Sequence, residues 1–410
     1  MIRFYKTWHK KFNKIHAFRE KDKMKISVIG TGYVGLSAAV GFAKLGHDVI
    51  CYDVIPEKLE MIKNGKSPIY EPLIDQYLGD VVSEGRLKTS TDLDRTVKQT
   101  EVSFLCVGTP SSEDGSIDLS YIREASRELG TALREKGSYH TVVVKSTVLP
   151  ETTEGVVLPL LEESGLNAGK DFGLCMNPEF LREGCALEDF LHPDRIVIGE
   201  LDSRSGEAVN ELYQGFGAPI LRTNLKVAEM IKYASNAFLA TKISYSNEIG
   251  NICKKLGIDV YDVMRGVGLD SRISPKFLQA GCGFGGSCFP KDVSALIAKS
   301  GELGHEPKLL KEVLDTNERQ KLKIMEHLER KVGDLEGKRI AVLGLSFKAN
   351  TDDVRESPAI KVISYLKYRG ADIAAHDPQG MDNMRAVFPD IAYHETPQSA
   401  LRDSDAAVIS

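Results

Sequence analysis

A short apolar strand followed at once by closely spaced glycines constrains the fold most strongly. Residues 25–29 have the pattern of a buried strand, residues 30–35 read G-x-G-x-x-G, and apolar residues then recur at helical spacing from Leu36 to about Leu45. Glycines at these positions allow a tight turn and leave the helix N-terminus open to an anion. The pattern predicts the first βαβ unit of a doubly wound sheet that binds a dinucleotide. An ordinary strand, turn and helix is the alternative.

The second strand candidate ends in an acidic residue. Residues 49–52 are followed by Asp53, about twenty residues after the glycines, where dinucleotide-binding folds place an acid. Such an acid accepts hydrogen bonds from a ribose 2′-hydroxyl and repels a 2′-phosphate, which predicts NAD as the cofactor rather than NADP. The candidate cofactor-binding residues of this unit are Gly30, Gly32, Tyr33, Val34, Gly35 and Asp53.

A glycine-rich loop that ends in a cysteine is the second informative segment. Residues 283–292 read GFGGSCFPKD. Glycines let backbone and substrate approach closely, and a thiol displayed there can attack a carbonyl carbon. If Pro290 opens a helix, Asp292 lies one turn from Cys288 on the same face. A nicotinamide cofactor together with a nucleophilic cysteine suggests oxidation through a thioester, whereas a buried structural cysteine is the alternative.

Composition excludes several classes of function. The 410-residue length predicts roughly two to three domains, and the net charge of -5 offers no general attraction to nucleic acid. Seven cysteines without a C-x-x-C pair argue against a disulfide framework and for a reducing, cytoplasmic compartment. The nine histidines do not cluster as metal ligands do, so no metal site is expected. No apolar run approaches the roughly 20 residues of a membrane span.

The first 23 residues differ from the rest in charge. Only Glu20 and Asp22 oppose the basic side chains Arg3, Lys6, Lys10, Lys11, Lys14, Arg19, Lys21 and Lys23. Helical spacing of the apolar residues Phe4, Trp8, Phe12 and Ile15 predicts a basic amphipathic surface helix. A dispensable extension ahead of Met24, where the fold begins, is the alternative.

Strand and helix patterns alternate through the rest of the chain. Further strand candidates are residues 103–107, 141–145, 173–176 and 195–199. Apolar runs, rather than strict alternation of apolar and polar residues, predict a parallel doubly wound sheet.

A long helix and a second α/β unit follow. Residues 225–256 have the pattern of one helix, which links two domains or forms a subunit interface. The second unit begins with a strand at 339–344, and further strands are expected near 372–375 and 406–409. Because the chain stops inside a strand pattern, this second domain is expected to be incomplete, with an unpaired sheet edge.

Several motifs occur in a fixed order along the chain. They are the glycine pattern at 30–35, VGTP at 107–110, NPEFLREG at 177–184, Lys232 and Asn236 on the long helix, the cysteine loop, and FK at 347–348 with DVRES at 353–357. With these motifs, the chain resembles the UDP-glucose/GDP-mannose 6-dehydrogenase family over nearly all of residues 24–410. The form of the cysteine loop and LHPDR at 191–195 resemble the UDP-glucose branch more closely.

The resemblance implies an architecture of two Rossmann-like doubly wound domains joined by a long central helix. The predicted segments are a basic extension at 1–23, an NAD-binding domain at 24–204, a central helical dimerisation and catalytic region at 205–320, and an incomplete nucleotide-sugar-binding domain at 321–410. A homodimer is implied as well.

The resemblance also implies a reaction. Two NAD molecules oxidise the C6 alcohol of a nucleotide sugar to a carboxylate, as from UDP-glucose to UDP-glucuronate, for polysaccharide or glycan synthesis. A first hydride transfer gives an aldehyde, which Cys288 traps as a thiohemiacetal. A second hydride transfer gives a thioester, and water releases the uronic acid.

Catalytic roles are implied for five more side chains. Lys232 faces the developing oxyanion, and Asn236 shares that face one helical turn further on. Asp292 takes part in proton transfer through a water that Thr109 helps to hold. Glu179 acts as general base when the thioester is hydrolysed. The alternative for Lys232 and Asn236 is that they are ordinary surface residues of a helix. The alternative for Glu179 is that it is simply an acid at a strand-to-helix turn.

Binding roles complete the implied site. Near the cofactor the resemblance places Thr109, Glu183 and Arg355, with Lys58 reaching the adenosine ribose unless it is simply an exposed lysine. Arg272 would reach the nucleotide sugar of a neighbouring subunit, which makes the dimer part of the site. The candidate substrate-binding residues are Glu179, Phe180, Leu181, Arg182, Lys232, Asn236, Arg272, Phe284, Gly285, Phe347 and Lys348.

Rival functions remain open on the sequence. A GDP-mannose 6-dehydrogenase shares almost every motif. The β-hydroxyacid dehydrogenases share the fold and the helix lysine and asparagine, but need no cysteine. A chain that binds NAD and forms oligomers without turnover is the non-enzymatic alternative.

Overall fold

The structure of the protein is a computed structural model that describes residues 23–410 in two compact units. The first unit comprises the described residues up to 112 together with 117–232, and the second comprises 113–116 and 233–410. The predicted basic helix within residues 1–23 lies outside the described residues, apart from Lys23.

The first unit is built on a large sheet. Its described strands are β1 Lys25–Ile29, β2 Asp48–Tyr52, β3 Leu87–Ser90, β4 Val102–Leu105, β5 His140–Val144, β6 Phe172–Met176, β7 Ile196–Glu200 and β8 Ile220–Thr223. Their spatial order is β3-β2-β1-β4-β5-β6-β7-β8. Neighbouring strands are parallel except β6 and β7, which pair antiparallel with Met176 opposite Gly199. The sheet is therefore that of a dinucleotide-binding fold, extended at one edge by two further strands.

Apolar cores lie on both faces of this sheet. Val28 and Phe104 belong to one cluster of buried side chains, whereas their neighbours Ile29 and Leu105 belong to another. Successive residues of a strand point to opposite faces, so both faces are covered by helices. This double burial explains why the strands read as apolar runs, and it confirms the predicted doubly wound sheet.

The helices of the first unit connect successive strands. They are α1 Tyr33–Lys44, α2 Pro56–Lys63, α3 Ile74–Ser83, α4 Leu93–Gln99, α5 Ser120–Lys136, α6 Leu158–Glu162, α7 Ala186–Leu191 and α8 Ser203–Leu212, with one π-helical turn at Thr153–Val157. Asp92 caps α4 by accepting a hydrogen bond from the Arg95 backbone N–H, and Asp202 forms a capping box with Ser205 at α8.

The six strands predicted before residue 204 are confirmed, with ends that differ by one or two residues. Strands β3 and β8 were not predicted, because each is four residues long and mostly half-exposed, so neither has an apolar run. The antiparallel pairing of β6 and β7 was not predicted either, since a buried run has the same composition in either direction.

The predicted long helix is confirmed as α9 Leu225–Leu256. Its residues up to Lys232 belong to the first unit, and its residues from Tyr233 onward belong to the second.

The second unit combines helices with a small sheet. After α9 come α10 Val260–Gly268, α11 Phe289–Glu302, α12 Lys308–Val332, α13 Pro358–Tyr368, α14 Met381–Val387 and α15 Pro397–Leu401. The described strands β9 Arg339–Leu343, β10 Asp372–His376, β11 Ala392–Tyr393 and β12 Ala406–Ile409 form a parallel sheet in the order β11-β10-β9-β12. This sheet confirms the second α/β unit and its three predicted strands. The segment boundaries at 204/205 and 320/321 stay predictions.

Candidate active site

The glycine turn after β1 leaves an open cradle. Gly30 has φ +93°, and a Cβ there would lie 2.8 Å from the Cys106 carbonyl oxygen. A Cβ at Gly35 would lie 1.9 Å from the Gly30 carbonyl oxygen. A Cβ at Gly32, by contrast, would meet no heavy atom of residues 23–410 within 4 Å, its two chain neighbours apart. The outer glycines are therefore required by the fold, and the middle one leaves space for a ligand to approach the backbone.

The start of α1 suits an anion. Tyr33 and Val34 begin this helix, and Gly32 before them supplies no side-chain cap. The first turn carries no acidic residue that would repel an anion. A helix N-terminus with these properties fits the pyrophosphate of NAD, because its N–H groups and the helix dipole both favour negative charge.

Asp53 follows β2 and holds the glycine turn. Its Oδ2 accepts hydrogen bonds from the Thr31 backbone N–H at 2.8 Å and from Thr31 Oγ1 at 2.6 Å. Its Oδ1 accepts one from the Ile55 backbone N–H at 3.0 Å. Each carboxylate oxygen can accept two hydrogen bonds, so Oδ1 retains capacity for a ribose hydroxyl. The residues of this turn therefore fit NAD.

Three other predicted cofactor residues lie elsewhere in the first unit. Lys58 is half-buried on α2, and Glu183 is half-buried in the turn between β6 and α7. Thr109, after β4, donates from Oγ1 to the Thr147 carbonyl oxygen at 2.9 Å. Their roles with the cofactor stay predictions.

The first unit brings Glu179 and Lys232 together. Lys232 Nζ lies 2.8 Å from Glu179 Oε1, and the two side chains are 3% and 6% exposed. Glu179 Oε2 also accepts a hydrogen bond from the Leu181 backbone N–H. Burial alone would raise the pKa of Glu179, but the Lys232 ammonium and these hydrogen bonds together hold that pKa below its usual value. The sequence did not predict this buried ion pair because 53 residues separate the partners.

A buried lysine supports the segment before Glu179. Lys145, at the end of β5, donates to Asn177 Oδ1 at 2.9 Å, and Tyr213 OH donates to the same oxygen at 2.6 Å. Asn177 Nδ2 in turn donates to the Val197 carbonyl oxygen at 2.8 Å. Burial lowers the pKa of Lys145 to about 8. Lys145 was not among the predicted site residues, although a charged residue directly after a buried strand was a signal that could have marked it.

Glu71 holds the other end of the same segment. Its carboxylate is buried and accepts hydrogen bonds from the backbone N–H groups of Gly184 and Ala186, where α7 begins. The NPEFLREG segment is therefore fixed at both ends by buried side chains that sequence patterns did not single out.

The other candidates of that segment have partners of their own. The Arg195 guanidinium lies 3.8 Å from the centre of the Phe180 ring. Arg182 forms a two-bond ion pair with Asp189, at 2.9 and 2.6 Å. Leu181 packs against the apolar cluster on one face of the sheet. Binding of substrate by these residues stays a prediction.

In the second unit, an asparagine clamps the cysteine loop. Asn317 on α12 accepts from the Phe284 backbone N–H at 2.7 Å and donates to the Phe284 carbonyl oxygen at 2.9 Å. Gly283 has φ +98°, and a Cβ there would lie 2.7 Å from Asn317 Oδ1. Asn317 was missed because it lies far along the chain, in a helix without a motif.

The next two glycines of the loop pack against residues 344–357, named here the 344–357 loop. A Cβ at Gly285 would lie 2.1 Å from the Glu356 carbonyl oxygen, and one at Gly286 would lie 2.6 Å from the Phe347 ring. The Gly286 backbone N–H donates to the Arg355 carbonyl oxygen at 2.9 Å. These glycines therefore serve close packing of two backbone segments.

Cys288 lies at the N-terminus of α11, as predicted from Pro290. The Asp292 backbone N–H donates to the Cys288 carbonyl oxygen at 2.8 Å, which closes the first helical turn. Asp292 is 1% exposed. Its Oδ2 accepts from Asn236 Nδ2 at 2.6 Å, and Lys291 Nζ lies 2.6 Å from its Oδ1. The structure thus joins Asn236 to Asp292 directly.

The remaining candidates lie on the surface of the second unit. Lys348 Nζ lies 5.3 Å from the centre of the Phe347 ring. Arg355 pairs with Asp353 at 2.6 Å, and Arg272 pairs with Asp270 at 2.6 Å while remaining 86% exposed. Their roles with cofactor and substrate stay predictions.

Residues 23–410 contain neither a metal-binding cluster nor a helix that could span a membrane. That part of the chain has no group of three or more His, Cys, Asp or Glu side chains placed to hold a metal ion. It also contains no helix with the length and hydropathy of a membrane span.

The open glycine cradle and the acid after β2 are those of an NAD-dependent dehydrogenase. Family models agree with this class. Residues 24–217 match the NAD binding domain, residues 226–319 the central domain and residues 341–410 the UDP binding domain of the UDP-glucose/GDP-mannose dehydrogenase family. The chain therefore belongs to the UDP-glucose/GDP-mannose dehydrogenase family.

Individual relatives are similar over most of their length. The UDP-glucose 6-dehydrogenase AglM of Haloferax volcanii is 46% identical over 397 residues, which cover 94% of this chain and 91% of the relative. A GDP-mannose 6-dehydrogenase of Pseudomonas syringae is 44% identical, covering 86% of this chain and 81% of the relative. The solved structure of a UDP-glucose dehydrogenase from Pyrobaculum islandicum superposes with a TM-score of 0.93 at 47% identity, covering 96% of this chain and 91% of that one.

Proposed function

We propose that the protein is a UDP-glucose 6-dehydrogenase, which oxidises the C6 alcohol of UDP-glucose to a carboxylate with two NAD. The observation that carries the four-electron reaction is the placement of Cys288 at the N-terminus of α11. Asp292 lies one helical turn later and accepts a hydrogen bond from the Asn236 amide. The substrate is supported by the two UDP-glucose relatives, each more than 45% identical to this chain.

The cofactor would be held by the glycine turn of the first unit. Backbone groups at Gly32, Tyr33 and Val34 would bind the pyrophosphate, and Asp53 Oδ1 would accept a hydrogen bond from a ribose hydroxyl. When bound, NAD supplies the acceptor for the hydride in each of the two oxidations.

Cys288 supplies the covalent step. Its thiolate adds to C6 of the aldehyde formed by the first oxidation, and the resulting thiohemiacetal carries the hydride for the second. The thioester that results is hydrolysed by water, which gives the carboxylate and returns the thiol. A helix N-terminus favours the thiolate, because the positive end of the helix dipole stabilises negative charge.

Asp292 and Asn236 serve proton transfer. The amide of Asn236 and the ammonium of Lys291 leave the Asp292 carboxylate in one fixed orientation. Asp292 can then take a proton from the C6 hydroxyl through a water, with Thr109 as a further partner of that water.

Lys232 and Glu179 stabilise and hydrolyse the intermediates. The buried ammonium of Lys232 donates a hydrogen bond to the oxyanion at C6, where a charge in a dry site is most effective. Glu179, ionised by its pairing with Lys232, takes the proton of the attacking water during thioester hydrolysis.

A homodimer completes the proposal. Phe238, Tyr245 and Ile252 recur every seven residues along α9 and are 65%, 51% and 50% exposed. Large apolar side chains at this spacing form one stripe along the helix and favour packing against a second copy. Arg272, which is exposed, would then reach the nucleotide sugar of that copy. We place the enzyme in the cytoplasm, where the odd number of cysteines is kept reduced.

The proposal is tested by the ratio of NADH formed to sugar consumed. Purified protein with excess NAD would receive limiting UDP-glucose, GDP-mannose or UDP-N-acetylmannosamine in separate assays. The proposal expects two moles of NADH per mole of UDP-glucose. One mole would mean that aldehyde is released and that Cys288 forms no thioester.

GDP-mannose is the second candidate substrate, because the Pseudomonas syringae relative is 44% identical to this chain. Two moles of NADH per mole of GDP-mannose, with none from the other two sugars, would assign GDP-mannose as the substrate. Binding of NAD without turnover on any of the three sugars would instead support a non-catalytic oligomer subunit.

A further inference from the structure

The second unit repeats the turn that binds the cofactor in the first. Gly344 follows β9 with φ +89°, and its N–H donates to the His376 carbonyl oxygen at the end of β10. Gly30 follows β1 in the same way and donates to the Tyr52 carbonyl oxygen at the end of β2. Asp377 directly follows β10, so it occupies the place that Asp53 has after β2.

The Asp377 carboxylate ties two segments together. Its Oδ2 accepts from the backbone N–H groups of Leu345 and Ser346, at 2.8 and 3.1 Å. Its Oδ1 accepts from the N–H groups of Gln379 and Gly380, both at 2.7 Å, and from Ser346 Oγ at 3.4 Å. Burial would raise the pKa of Asp377, but these backbone N–H groups lower it below its usual value. The carboxylate is thus saturated with protein donors.

One of these two segments, that of Leu345 and Ser346, belongs to the 344–357 loop, which packs on the cysteine loop. Ser346 precedes Phe347, whose ring contacts Gly286, and the Phe347 N–H donates to the Asp353 carbonyl oxygen at 3.0 Å. Near the C-terminal end of the 344–357 loop, the Arg355 carbonyl oxygen accepts a hydrogen bond from the Gly286 N–H. Residues near both ends of this loop therefore contact Gly286, which lies two positions before Cys288.

The 344–357 loop contains strained backbone. Asn350 and Glu356 have φ +63° and +53°, values that non-glycine residues adopt at a cost in free energy. Such conformations persist only where the surrounding contacts fix them. The Asp377 carboxylate, with its donors from two segments, is such a contact at the start of the loop.

We propose that Asp377 is a positioning residue for the thiol: it fixes the 344–357 loop, and through that loop it sets the conformation of the cysteine loop and the entry of the nucleotide sugar. The consequence for turnover rests on the proposed function. The consequence for the reactivity of Cys288 does not, because it depends only on the packing of the two loops.

The test is the rate at which iodoacetamide alkylates Cys288 in Asp377→Asn, measured without ligands by mass spectrometry of the peptide that contains Cys288. The asparagine amide would place N–H donors against backbone N–H donors, which loosens the 344–357 loop. We expect alkylation to become faster by about threefold or more. The KM for UDP-glucose should rise by about tenfold, a change of the size expected when one buried hydrogen bond is lost. The KM for NAD should stay unchanged.

Asp53→Asn is the matched control, because it removes the corresponding carboxylate of the first unit. It should weaken binding of NAD and leave the alkylation rate of Cys288 as in the wild type. An Asp377→Asn protein that melts as a folded protein, yet has wild-type alkylation and wild-type KM for UDP-glucose, would overturn the proposal.

Gly380→Ala keeps the proposal testable if Asp377→Asn does not fold. A Cβ at Gly380 would lie 2.4 Å from Ser346 Oγ, so it displaces the side chain at the start of the loop and keeps the carboxylate. Faster alkylation in this variant supports the proposal, and a wild-type rate contradicts it. If the wild type turns over none of the sugars, the proposed function fails, whereas the alkylation comparison still decides the role of Asp377.

Discussion

The two glycine turns of this protein are built alike but used differently. After Gly30, helix α1 begins at Tyr33, so the helix N-terminus itself faces the turn. After Gly344, helix α13 begins only at Pro358, and the residues between them form the 344–357 loop. The first arrangement exposes backbone N–H groups to a ligand, and the second presents side chains such as Phe347. The length of the segment between the glycine and the helix thus decides what the turn can do.

The acids after the second strands differ in the same sense. From residues 23–410, Asp53 accepts three hydrogen bonds, and its Oδ1 accepts only that from Ile55. Asp377 accepts bonds from Leu345, Ser346, Gln379 and Gly380, which occupy both oxygens. An acid with spare capacity can bind a ligand, whereas a saturated acid can only hold the protein in place.

Cys288→Ser should have the largest effect, because it affects the cysteine loop, on which the 344–357 loop packs, and leaves the first glycine turn intact. Formation of the uronic acid should fall by about 10³-fold or more, since the nucleophile of a unit that acts together is lost. The affinity for NAD, which belongs to the first turn, should remain that of the wild type. NADH yield and fluorescence titration of NAD measure the two quantities. Acid formation at wild-type rate in Cys288→Ser would mean that no thioester is used.

The fold requirement of the first turn is tested by Gly35→Ala. Its Cβ would fall 1.9 Å from the Gly30 carbonyl oxygen, so α1 must move away from β1. We expect a loss of about 1–3 kcal/mol in the free energy of unfolding, as for other overpacked sites. Denaturation in urea measures this loss. A variant of unchanged stability would show that α1 can shift at no cost.

The ligand requirement of the same turn is tested by Gly32→Ala. Apart from its two chain neighbours, no heavy atom of residues 23–410 lies within 4 Å of the added Cβ, so stability should stay within about 0.5 kcal/mol of the wild type. The methyl group occupies the cradle, and the affinity for NAD should fall by about tenfold, as loss of close backbone approach predicts. Together with Gly35→Ala, this pair separates folding from binding. Equal NAD affinity in Gly32→Ala and the wild type would place the pyrophosphate elsewhere.

The sequence predicted the parts of the molecule that depend on neighbours along the chain. The turn after β1, the helix that Pro290 begins and the length of α9 all follow from local patterns. Partners brought together by the fold could not be predicted in this way. Asn317 contacts the cysteine loop from 33 residues away, and Lys145 meets Asn177 from 32 residues away.

The site candidates show the same division. The pairing of Glu179 with Lys232 and that of Asn236 with Asp292 are contacts between residues that the resemblance had singled out separately. Asp377 has no motif that marks it, because an acid after a strand is common and its donors become apparent only in three dimensions. A repeat of the strand-glycine pattern at 25–30 and 339–344 was the one local signal of the second turn.

The smallest effect expected from this comparison is a difference in acid sensitivity. The pKa of Asp377 is lower in the folded protein than in the unfolded chain, because backbone N–H groups outweigh the effect of burial. A carboxyl of this kind stabilises the fold above its unfolded pKa, and that contribution is lost as pH falls through the folded pKa. The wild type should therefore lose more stability than Asp377→Asn when urea denaturation is compared at pH 5 and pH 3. Because Asp377→Asn has no carboxyl at this position, parallel losses in the two proteins would mean that folding does not shift the pKa of Asp377, which would contradict this prediction.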